Sequence, residues 1–516
     1  MEDNTPVLIG QGQFTYRGPP AEAPSPLQLL IKATEAAAAD AGLAASALAG
    51  LDGVGVVAFA IDAEGALAAL PVPRLSNPPA SLSRRLGAKP RWAAYTQIGG
   101  NASQHLINVI CERISARETD FALAVGAEFL GSLMRRLRGS LGFDNYESDP
   151  EEDAPARIGD GRPGVTPQEA AHGLGLPVNT YPMFENALRA RDGRGLAEHQ
   201  ARLGRLFAPF TEVAARNPYA WFPIARSAEE LVTVGPDNRM IGFPYPKYLN
   251  AIMQVDQSAG VLIASVKKAR ELGVPQDRWV FLHGCADAHD LWHPLERQNY
   301  HSSPAMRLTG RRALEMAGIG AGDLAYLDLY SCFPSAVEIG AESLGLGVDD
   351  PRGFTVTGGL PYFGGPGNNY AMHGVATMMQ RLREAPGAFG LCTANGWFLT
   401  KQSTGVYSTK AFEGRWIRED PHVIQRQIDV LAHPEIIDEP HGPATIETYT
   451  VAHTREAYRM GIVIGRDGQG RRFVANTPAD EATLRDLERV EGVGRRGHVR
   501  RADDGVHNLF VPEPAP

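Results

Sequence analysis

Cysteine is scarce in this chain of 516 residues, which argues against domains stabilised by disulfide bonds or by zinc. The cysteines are Cys111, Cys285, Cys332 and Cys392, and no two of them form a Cys-x-x-Cys pair. Cysteines scattered in this way favour neither a disulfide framework nor a zinc site. The histidines from His283 to His301 match no zinc-binding spacing either, so we expect no metal.

Long apolar runs and an excess of basic residues are also missing. No uninterrupted hydrophobic stretch approaches the ~20 residues of a membrane-spanning helix, so we expect no membrane span. The net charge is −9, the pI is about 5.9 and no basic cluster is present, which argues against a nucleic-acid partner. The first residues, MEDNTPVLIG, are acidic, so we expect no signal peptide and a reducing, cytoplasmic location.

Glycine, by contrast, is concentrated in one stretch, Gly358–Gly374, which reads GGLPYFGGPGNNYAMHG. The stretch leads into an apolar-periodic segment that predicts a helix. A glycine-rich loop before a helix presents backbone N–H groups and the positive end of the helix dipole to a ligand. His373, near the end of the loop, could move a proton or hold an oxyanion. The alternative is a tight turn with a structural histidine.

Two distant segments carry the same order of signals. Ser25-Pro26 opens a predicted helix that is followed by a predicted strand at Leu51–Ala58. Ser303-Pro304 likewise opens a helix, which is followed by a strand at Leu324–Tyr330. A duplicated α/β unit explains this repetition, and coincidence is the alternative.

The remaining segments differ in composition. Residues 131–246 contain many Gly and Pro turns and the aromatic patch Asn217–Pro223, which we interpret as an irregular excursion over one face of the core. The segments TIETYTV, AYRMGIVIG and RRFVAN near the C-terminus alternate in polarity, as in a small antiparallel sheet or barrel. We therefore divide the chain into residues 1–275, 276–424 and 425–516.

Together these features resemble the thiolase superfamily, particularly the sterol-carrier-protein-type thiolases and bacterial acetyl-CoA acetyltransferase-like proteins. The resemblance covers Val7 to about Thr409 and depends on NPYAWF at 217–222, YSCFPSA at 330–336, GGLPYFGGP at 358–366 and the turn at 394–396. It implies an α/β fold of two similar halves in a five-layered αβαβα core with an inserted loop domain. The C-terminal piece resembles the small OB-like β domain of thiolase-like proteins of type 1.

The resemblance also implies a site built from four loops. The nucleophile loop, Cys-x-Ser, falls on Asn101-Ala102-Ser103, where the serine matches and the cysteine does not. The loop that reads Asn-Glu-Ala-Phe or His-Asp-Cys-Phe in relatives falls on Tyr330–Phe333. The Gly-His-Pro loop falls on Gly364–Pro366 without its histidine, and the Cys-x-Gly loop falls on Ala394–Gly396.

These departures change the expected chemistry. Thiolysis requires a thiolate that carries the acyl group and a second cysteine that moves a proton, and Asn101 cannot replace the first. Stabilising the enolate of a coenzyme A thioester is less demanding. Backbone N–H groups at 99–103 and 394–396, with His373, could form an oxyanion hole, and Tyr330 could act as an acid or base. The side-chain aldolases of steroid breakdown, which resemble this family, lack the cysteine and work beside an OB-fold partner.

The candidate catalytic residues are therefore His373, Tyr330, Cys332, Asn101 and Ser103, and the candidate substrate-binding residues are Gly100, Gly358, Gly359, Gly365, Asn395 and Gly396. A buried, inert thiol is an equally good explanation of Cys332. Three functions are open: acyl-CoA C-acyltransferase, retro-aldol lyase acting on a coenzyme A thioester, and non-catalytic acyl-CoA binding. We expect no covalently bound cofactor, a coenzyme A thioester as substrate, and a monomer or homodimer.

Overall fold

The computed structural model describes residues 1–63, 67, 69–147 and 153–514. The N-terminal part contains β1 (Pro6–Thr15), α1 (Pro26–Asp40), β2 (Gly53–Val56), α2 (Pro78–Leu86), β3 (Trp92–Thr96), α3 (Ala102–Ser115), β4 (Phe121–Glu128) and α4 (Leu130–Arg138). The excursion contains β5 (Arg157–Ile158), α5 (Pro167–Ala171), α6 (Pro177–Arg191), α7 (Leu196–Arg216), α8 (Ala228–Val232), β6 (Met240–Gly242) and β7 (Tyr245–Pro246).

The elements that follow complete the first half and form the second half and the C-terminal region. Strand β8 (Gln257–Ser265) and helix α9 (Val266–Glu271) belong to the first half. The second half contains β9 (Phe281–His289), α10 (Pro304–Ala317), β10 (Leu324–Asp328), α11 (Pro334–Ser343), α12 (Tyr370–Glu384), β11 (Phe389–Gly396), β12 (Lys401–Ser408) and α13 (Pro421–Asp429). The C-terminal region contains β13 (Gly442–His453), β14 (Tyr458–Asp467), β15 (Arg472–Asn476), α14 (Glu481–Arg489), β16 (Arg496–Arg501) and β17 (Asn508–Pro512).

The repeated Ser-Pro signals begin equivalent helices. Ser25 caps α1, and its side chain and that of Gln28 accept each other's backbone N–H groups in a capping box. Ser303 caps α10 in the same position, and Gly318, at φ +67°, ends that helix in the left-handed conformation. The sequence prediction for both helices is confirmed.

Two sheets with the same strand order form the core. The first sheet has the order β1-β8-β4-β2-β3-β5, and the second has the order β9-β12-β11-β10. In both sheets the first three strands pair antiparallel and the next pair is parallel. The shared order β1-β8-β4-β2 and β9-β12-β11-β10 confirms that the chain contains a duplicated unit.

Five layers result from the way the helices pack on these sheets. Helices α3 and α12 contact each other between the sheets, where α3 packs on β4 and β12 and α12 packs on β8 and β11. Helices α1 and α2 cover the outer face of the first sheet, and α10 covers the second sheet with α11 beside it. The predicted five-layered αβαβα thiolase fold is therefore confirmed. The loops that precede α3 and α12 contact each other, because the Gly99 N–H donates to the Asn368 side chain.

The excursion is more regular than its composition suggests. Helices α6 and α7 pack on α11, and each contains an internal proline, Pro182 and Pro209. Proline removes a helical hydrogen bond and favours a break, so the sequence predicted irregular turns. Packing of Phe184, Phe207 and Phe210 in the large apolar core overrides this preference. Residues 148–152 of the excursion lie outside the described residues.

The C-terminal region is a small closed barrel. Strand β13 pairs with both β14 and β16, and the ring continues through β15 and β17. The β6–β7 hairpin of the excursion also pairs with β13, between Gly242 and Ala452. The barrel-like β domain is as predicted, whereas the domain boundaries at 275/276 and 424/425 stay predictions. None of the helices in the described ranges is long and apolar enough to cross a membrane.

Candidate active site

A tandem asparagine joins the two central loops. The Asn368 side chain accepts a hydrogen bond from the Gly99 N–H (2.8 Å), and the Asn368 carbonyl accepts one from the Ser103 hydroxyl (2.9 Å). The amide groups of Asn368 and Asn369 donate to carbonyls next to β2 and in β4. These bonds fix the glycine-rich loop to the turn before α3, so the predicted nucleophile loop and the third loop share one location.

Gly100 is the point where the first, second and fourth loops meet. A Cβ atom at Gly100 would lie 2.1 Å from the Tyr330 hydroxyl oxygen and 2.5 Å from the Asn395 carbonyl oxygen. Only glycine fits there, because real Cβ atoms do not approach other atoms so closely. The predicted residues Gly100, Tyr330 and Asn395 are thus brought together.

Tyr330 presents an unbonded hydroxyl to this point. Its ring packs edge-on against Tyr370, with 5.5 Å between the centroids. Among the residues that the structure describes, its hydroxyl has no hydrogen-bond partner. Burial raises the pKa of Tyr330 above its usual range, so the hydroxyl is a neutral hydrogen-bond donor at neutral pH.

Cys332 lies beside Tyr330 but is not activated. Its side chain is buried, and burial raises its pKa to about 12, so the thiol stays protonated at neutral pH. The Asn395 amide donates to the Cys332 Sγ (3.8 Å) and to the Tyr181 hydroxyl (3.0 Å). Tyr181 also donates to the Trp397 carbonyl (2.9 Å) and fixes the fourth loop. No sequence signal pointed to Tyr181, because it comes from α6 in the excursion.

Asn101 occupies the turn where relatives carry the nucleophile. It is half-buried and precedes α3 with helical φ and ψ values of −75° and −16°. Its amide approaches the Ser403 hydroxyl (3.4 Å), which donates to the buried Asp287 carboxylate (2.5 Å). Burial alone would raise the pKa of Asp287, but Arg418 and His105 hold it well below its usual range. The buried Asp287 carboxylate therefore fixes Ser403, which in turn contacts Asn101 in the turn before α3.

Lys401 is a second residue that sequence reasoning missed. It begins β12, and its ammonium group donates to the carbonyls of Ile98 and Asp160. A Cβ atom at Gly99 would lie 2.9 Å from the Lys401 Nζ, and one at Gly396 would lie 3.2 Å from its Cε. Burial lowers the pKa of Lys401 to about 8. The lysine follows the fourth loop directly, and that proximity is the only signal that could have identified it.

His373 lies deeper than the sequence suggested. Because Asn369 ends the loop, α12 begins at Tyr370, and His373 lies in its first turn and is fully buried. Its Nδ1 pairs with the Gln13 side-chain oxygen (2.8 Å), whereas its Nε2 has no partner in the described part of the chain. Burial lowers the pKa of His373 to about 3. The expectation that His373 exchanges a proton at neutral pH is therefore wrong, because its imidazole stays neutral at that pH.

The remaining predicted glycines allow close packing of the loop. Gly358 and Gly359 have φ values of +115° and +80°, which side chains rarely adopt. Cβ atoms there would lie 2.5 Å from Ala214 and 2.6 Å from Phe210, both on α7. Gly365 donates its N–H to the Ile252 carbonyl (2.8 Å). Substrate binding by these three glycines stays a prediction.

A cavity of about 580 Å³, which we call the α7 groove, lies beside this loop between α7 and residues 348–355. Its lining includes the basic residues Arg202, Arg205, Arg216 and Arg352, the acidic residues Glu212, Asp349 and Asp350, and the apolar residues Leu206 and Phe210. A neighbouring cavity of about 230 Å³ shares Arg216 with it. In the described ranges, no group of His, Cys, Asp and Glu side chains is arranged to hold a metal ion.

The comparisons with known proteins agree with this fold. The family model for the thiolase-like protein type 1 additional C-terminal domain matches residues 423–504. A monomeric SCP2-thiolase-like protein type 1 from Mycobacterium smegmatis is 36% identical, with a TM-score of 0.84 over 99% of both chains. This chain belongs to the SCP2-thiolase-like proteins of type 1.

More distant structures share the core of this type 1 protein. An Ltp2–ChsH2(DUF35) aldolase matches 79% of this chain and 98% of its own, at 20% identity and a TM-score of 0.56. An acetyl-CoA acetyltransferase from Syntrophomonas wolfei matches 79% of this chain and 100% of its own, at 17% identity and a TM-score of 0.52. At these identities only the fold is shared. A search of curated protein sequences finds no match.

Proposed function

We propose that this chain binds a thioester of coenzyme A and cleaves or forms the carbon–carbon bond beside the thioester without an acylated enzyme. The observation that carries the proposal is the unpaired Tyr330 hydroxyl packed against Gly100, at the N-terminal end of α3. Beside it, the N–H groups of Gly100 and Asn101 make no hydrogen bond within the described residues. Free donors at a helix N-terminus suit a developing oxyanion.

In the cleavage direction the substrate is a β-hydroxyacyl thioester. The bond between Cα and Cβ breaks, its electron pair moves onto the thioester as an enolate, and Cβ becomes a ketone or aldehyde as its hydroxyl loses a proton. The enolate then takes a proton at Cα and becomes a shorter acyl thioester. The Tyr330 hydroxyl can relay this proton, because it accepts one from the β-hydroxyl while donating its own. Such a relay suits a tyrosine whose raised pKa keeps it neutral.

The α7 groove supports the choice of coenzyme A. Arg205 and Arg216 line it, and neither forms an ion pair with a carboxylate in the described part of the chain. Unpaired guanidinium groups attract phosphates, and the apolar wall around Leu206 and Phe210 suits an adenine ring. Phe210 also packs against Gly359 of the glycine-rich loop. A phosphorylated carrier bound there would extend towards the four loops.

Acyl-CoA C-acyltransferase activity is the second candidate. It would need Cys332 as the acyl carrier, and the contacts of its sulfur with the Asn395 amide (3.8 Å) and the Tyr181 hydroxyl favour this role. The raised pKa of the thiol, about 12, opposes it, because the thiolate is the nucleophile. The aldolase with the same fold supports the lyase chemistry proposed first by analogy only. A non-catalytic acyl-CoA-binding protein is the third candidate.

The test is a substrate panel read by two mass measurements. The protein is incubated with β-hydroxyacyl and β-ketoacyl thioesters of coenzyme A, and small products and intact protein mass are recorded together. We expect a carbonyl compound and a shorter acyl thioester from a β-hydroxyacyl substrate, with no mass added to the protein. An acyl adduct would establish the acyltransferase route instead, and tight binding without products would identify a binding protein.

The same proposal includes a monomer in a reducing cytoplasm. The type 1 relative from M. smegmatis is described as monomeric. Light scattering on a sizing column should therefore give a mass near 55.6 kDa. The four cysteines are free and buried, which agrees with a reducing compartment.

A further inference from the structure

One face of β12 supports the turn before α3 with two polar side chains. Ser403 approaches Asn101, and Lys401, two residues earlier on the same face, reaches the backbone at Ile98. Lys401 is only 5% exposed. Its ammonium group has three N–H donors, and two of them are used by the carbonyls of Ile98 and Asp160. One donor is left over.

Among the described residues no carboxylate forms an ion pair with this ammonium group, although the Asp160 charge raises its pKa and the Trp397 ring centroid lies 5.4 Å from it. In the described ranges Lys401 forms no ion pair, since the Asp160 carboxylate is bound by Arg162 at 2.7 Å. Asp287, below the turn, is bound by Arg418 at 2.6 Å and by His105 at 2.9 Å. The N-terminal end of α3 adds further positive charge. A buried cation beside a helix N-terminus is costly unless a negative group from elsewhere pairs with it.

The position of the ammonium group matches the proposed chemistry. The Lys401 Nζ lies 2.9 Å from the Cβ position of Gly99, and the Tyr330 oxygen lies 2.1 Å from the Cβ position of Gly100. Lys401 and Tyr330 therefore flank the same two-residue turn. Asn101, which borders this turn, is half-buried, whereas Gly99 and Gly100 are buried.

We propose that Lys401 is a catalytic residue whose ammonium group pairs with the negative charge that develops on the thioester oxygen. This inference rests on the proposed function. When the bond between Cα and Cβ breaks, its electron pair reaches that oxygen, and the ammonium group donates its remaining N–H to it. Lys401 gives up no proton, and the electron pair returns when Cα is protonated through Tyr330. A cation in a water-poor site stabilises such a charge more strongly than an amide does.

The test compares two matched coenzyme A thioethers by calorimetry. S-carboxymethyl-CoA places a carboxylate near the acyl carbonyl position, and S-carbamoylmethyl-CoA places a neutral amide of the same size there. We expect the wild-type protein to bind the charged analogue roughly 10–100-fold more tightly, as for one charge-assisted hydrogen bond. Lys401→Met should abolish this preference, so that the two analogues bind the variant with equal affinity. Lys401→Arg should retain most of it, and the exposed Lys267→Met should retain all of it.

The unaltered protein gives a second readout if Lys401→Met fails to fold. Its preference for the charged analogue should fall as the pH rises through about 8, where Lys401 loses its proton. Of the groups facing the turn, Cys332 and Tyr330 have raised pKa values and stay neutral there, while Asp160 and Asp287, with lowered pKa values, and Arg418, with a raised one, keep their charges. Equal binding of both analogues, or a preference that survives in Lys401→Met, would overturn the role of Lys401 alone. Binding of neither analogue would overturn the proposed function and this inference with it.

Discussion

Asn101 shows how a single residue changes the chemistry of an unchanged turn. The turn keeps its helical dihedral angles, its support from Ser403 and Asp287, and the neighbouring N–H donors. An amide cannot carry an acyl group, so the position loses nucleophilic catalysis while the site keeps its electrostatics. Cys332, on the neighbouring second loop, has a pKa raised to about 12 by burial and therefore stays protonated at neutral pH. Among the nearby side chains, Tyr330 and Lys401 can donate a hydrogen bond to a negative charge that develops on the substrate.

His373 gives a prediction about pH and stability. Its pKa is lowered to about 3 in the folded protein, whereas an unfolded histidine titrates near ~6.5. Below pH ~6.5 the unfolded chain binds the additional proton, so the folded state loses stability as the pH falls. We expect the wild-type protein to lose about 1–2 kcal/mol relative to His373→Gln between pH 7.5 and pH 5. Urea midpoints of both proteins at the two pH values measure this difference, and a pH-independent difference would contradict the buried, neutral imidazole.

Among the helices and strands, the sequence correctly predicted those whose position is determined by local signals. Ser-Pro caps, glycine stops and alternating runs located α1, α10 and the C-terminal strands. It failed where tertiary packing decides, as in α6 and α7 with their internal prolines, and at the start of α12, which Asn369 sets through bonds to the first sheet. The resemblance to the family's motifs identified Gly100, Tyr330 and Asn395 as site residues, and the structure places them in contact. Tyr181 and Lys401 lie outside the motifs, so only the fold reveals them.

The close approach at the turn before α3 can be tested with Gly100→Ala. The added methyl group would meet the Tyr330 hydroxyl and the Asn395 carbonyl, so Tyr330 must move. We expect a loss of stability of about 1–3 kcal/mol from overcrowding and a loss of turnover of at least about 10-fold. Gly322→Ala is the control, because no atom lies within 4 Å of its added Cβ. Thermal unfolding and turnover measure both effects, and full activity in Gly100→Ala would show that Tyr330 is not held at this turn.

At the scale of the whole molecule, the barrel is attached to the second half by a buried arginine. Arg472, at the start of β15, is fully buried, pairs with Glu447 and donates to the carbonyls of Leu295 and Arg297. The β6–β7 hairpin attaches the excursion to the same barrel. The three parts are therefore connected around the site, although the attachment could not be predicted because its partners are far apart in the sequence.

Arg472→Met tests this attachment. It leaves Glu447 half-buried without its closest partner and several carbonyls without a donor, so we expect a loss of about 3–5 kcal/mol. Arg500→Met, in β16 of the same barrel, removes an exposed pair with Asp503 and should cost less than about 1 kcal/mol. Urea denaturation compares the two variants. Equal losses would mean that the buried arginine does not hold the barrel in place.

The central claim is that the Tyr330 hydroxyl, and not a thiol, transfers the proton during cleavage of the carbon–carbon bond. The direct measurement is turnover of a β-hydroxyacyl thioester of coenzyme A by Tyr330→Phe and by Cys332→Ala, with substrate affinity measured alongside. We predict that Tyr330→Phe binds normally but turns over ~10²–10⁴-fold more slowly, whereas Cys332→Ala stays close to the wild-type rate. A wild-type rate in Tyr330→Phe together with an inactive Cys332→Ala would contradict the account and assign catalysis to the thiol.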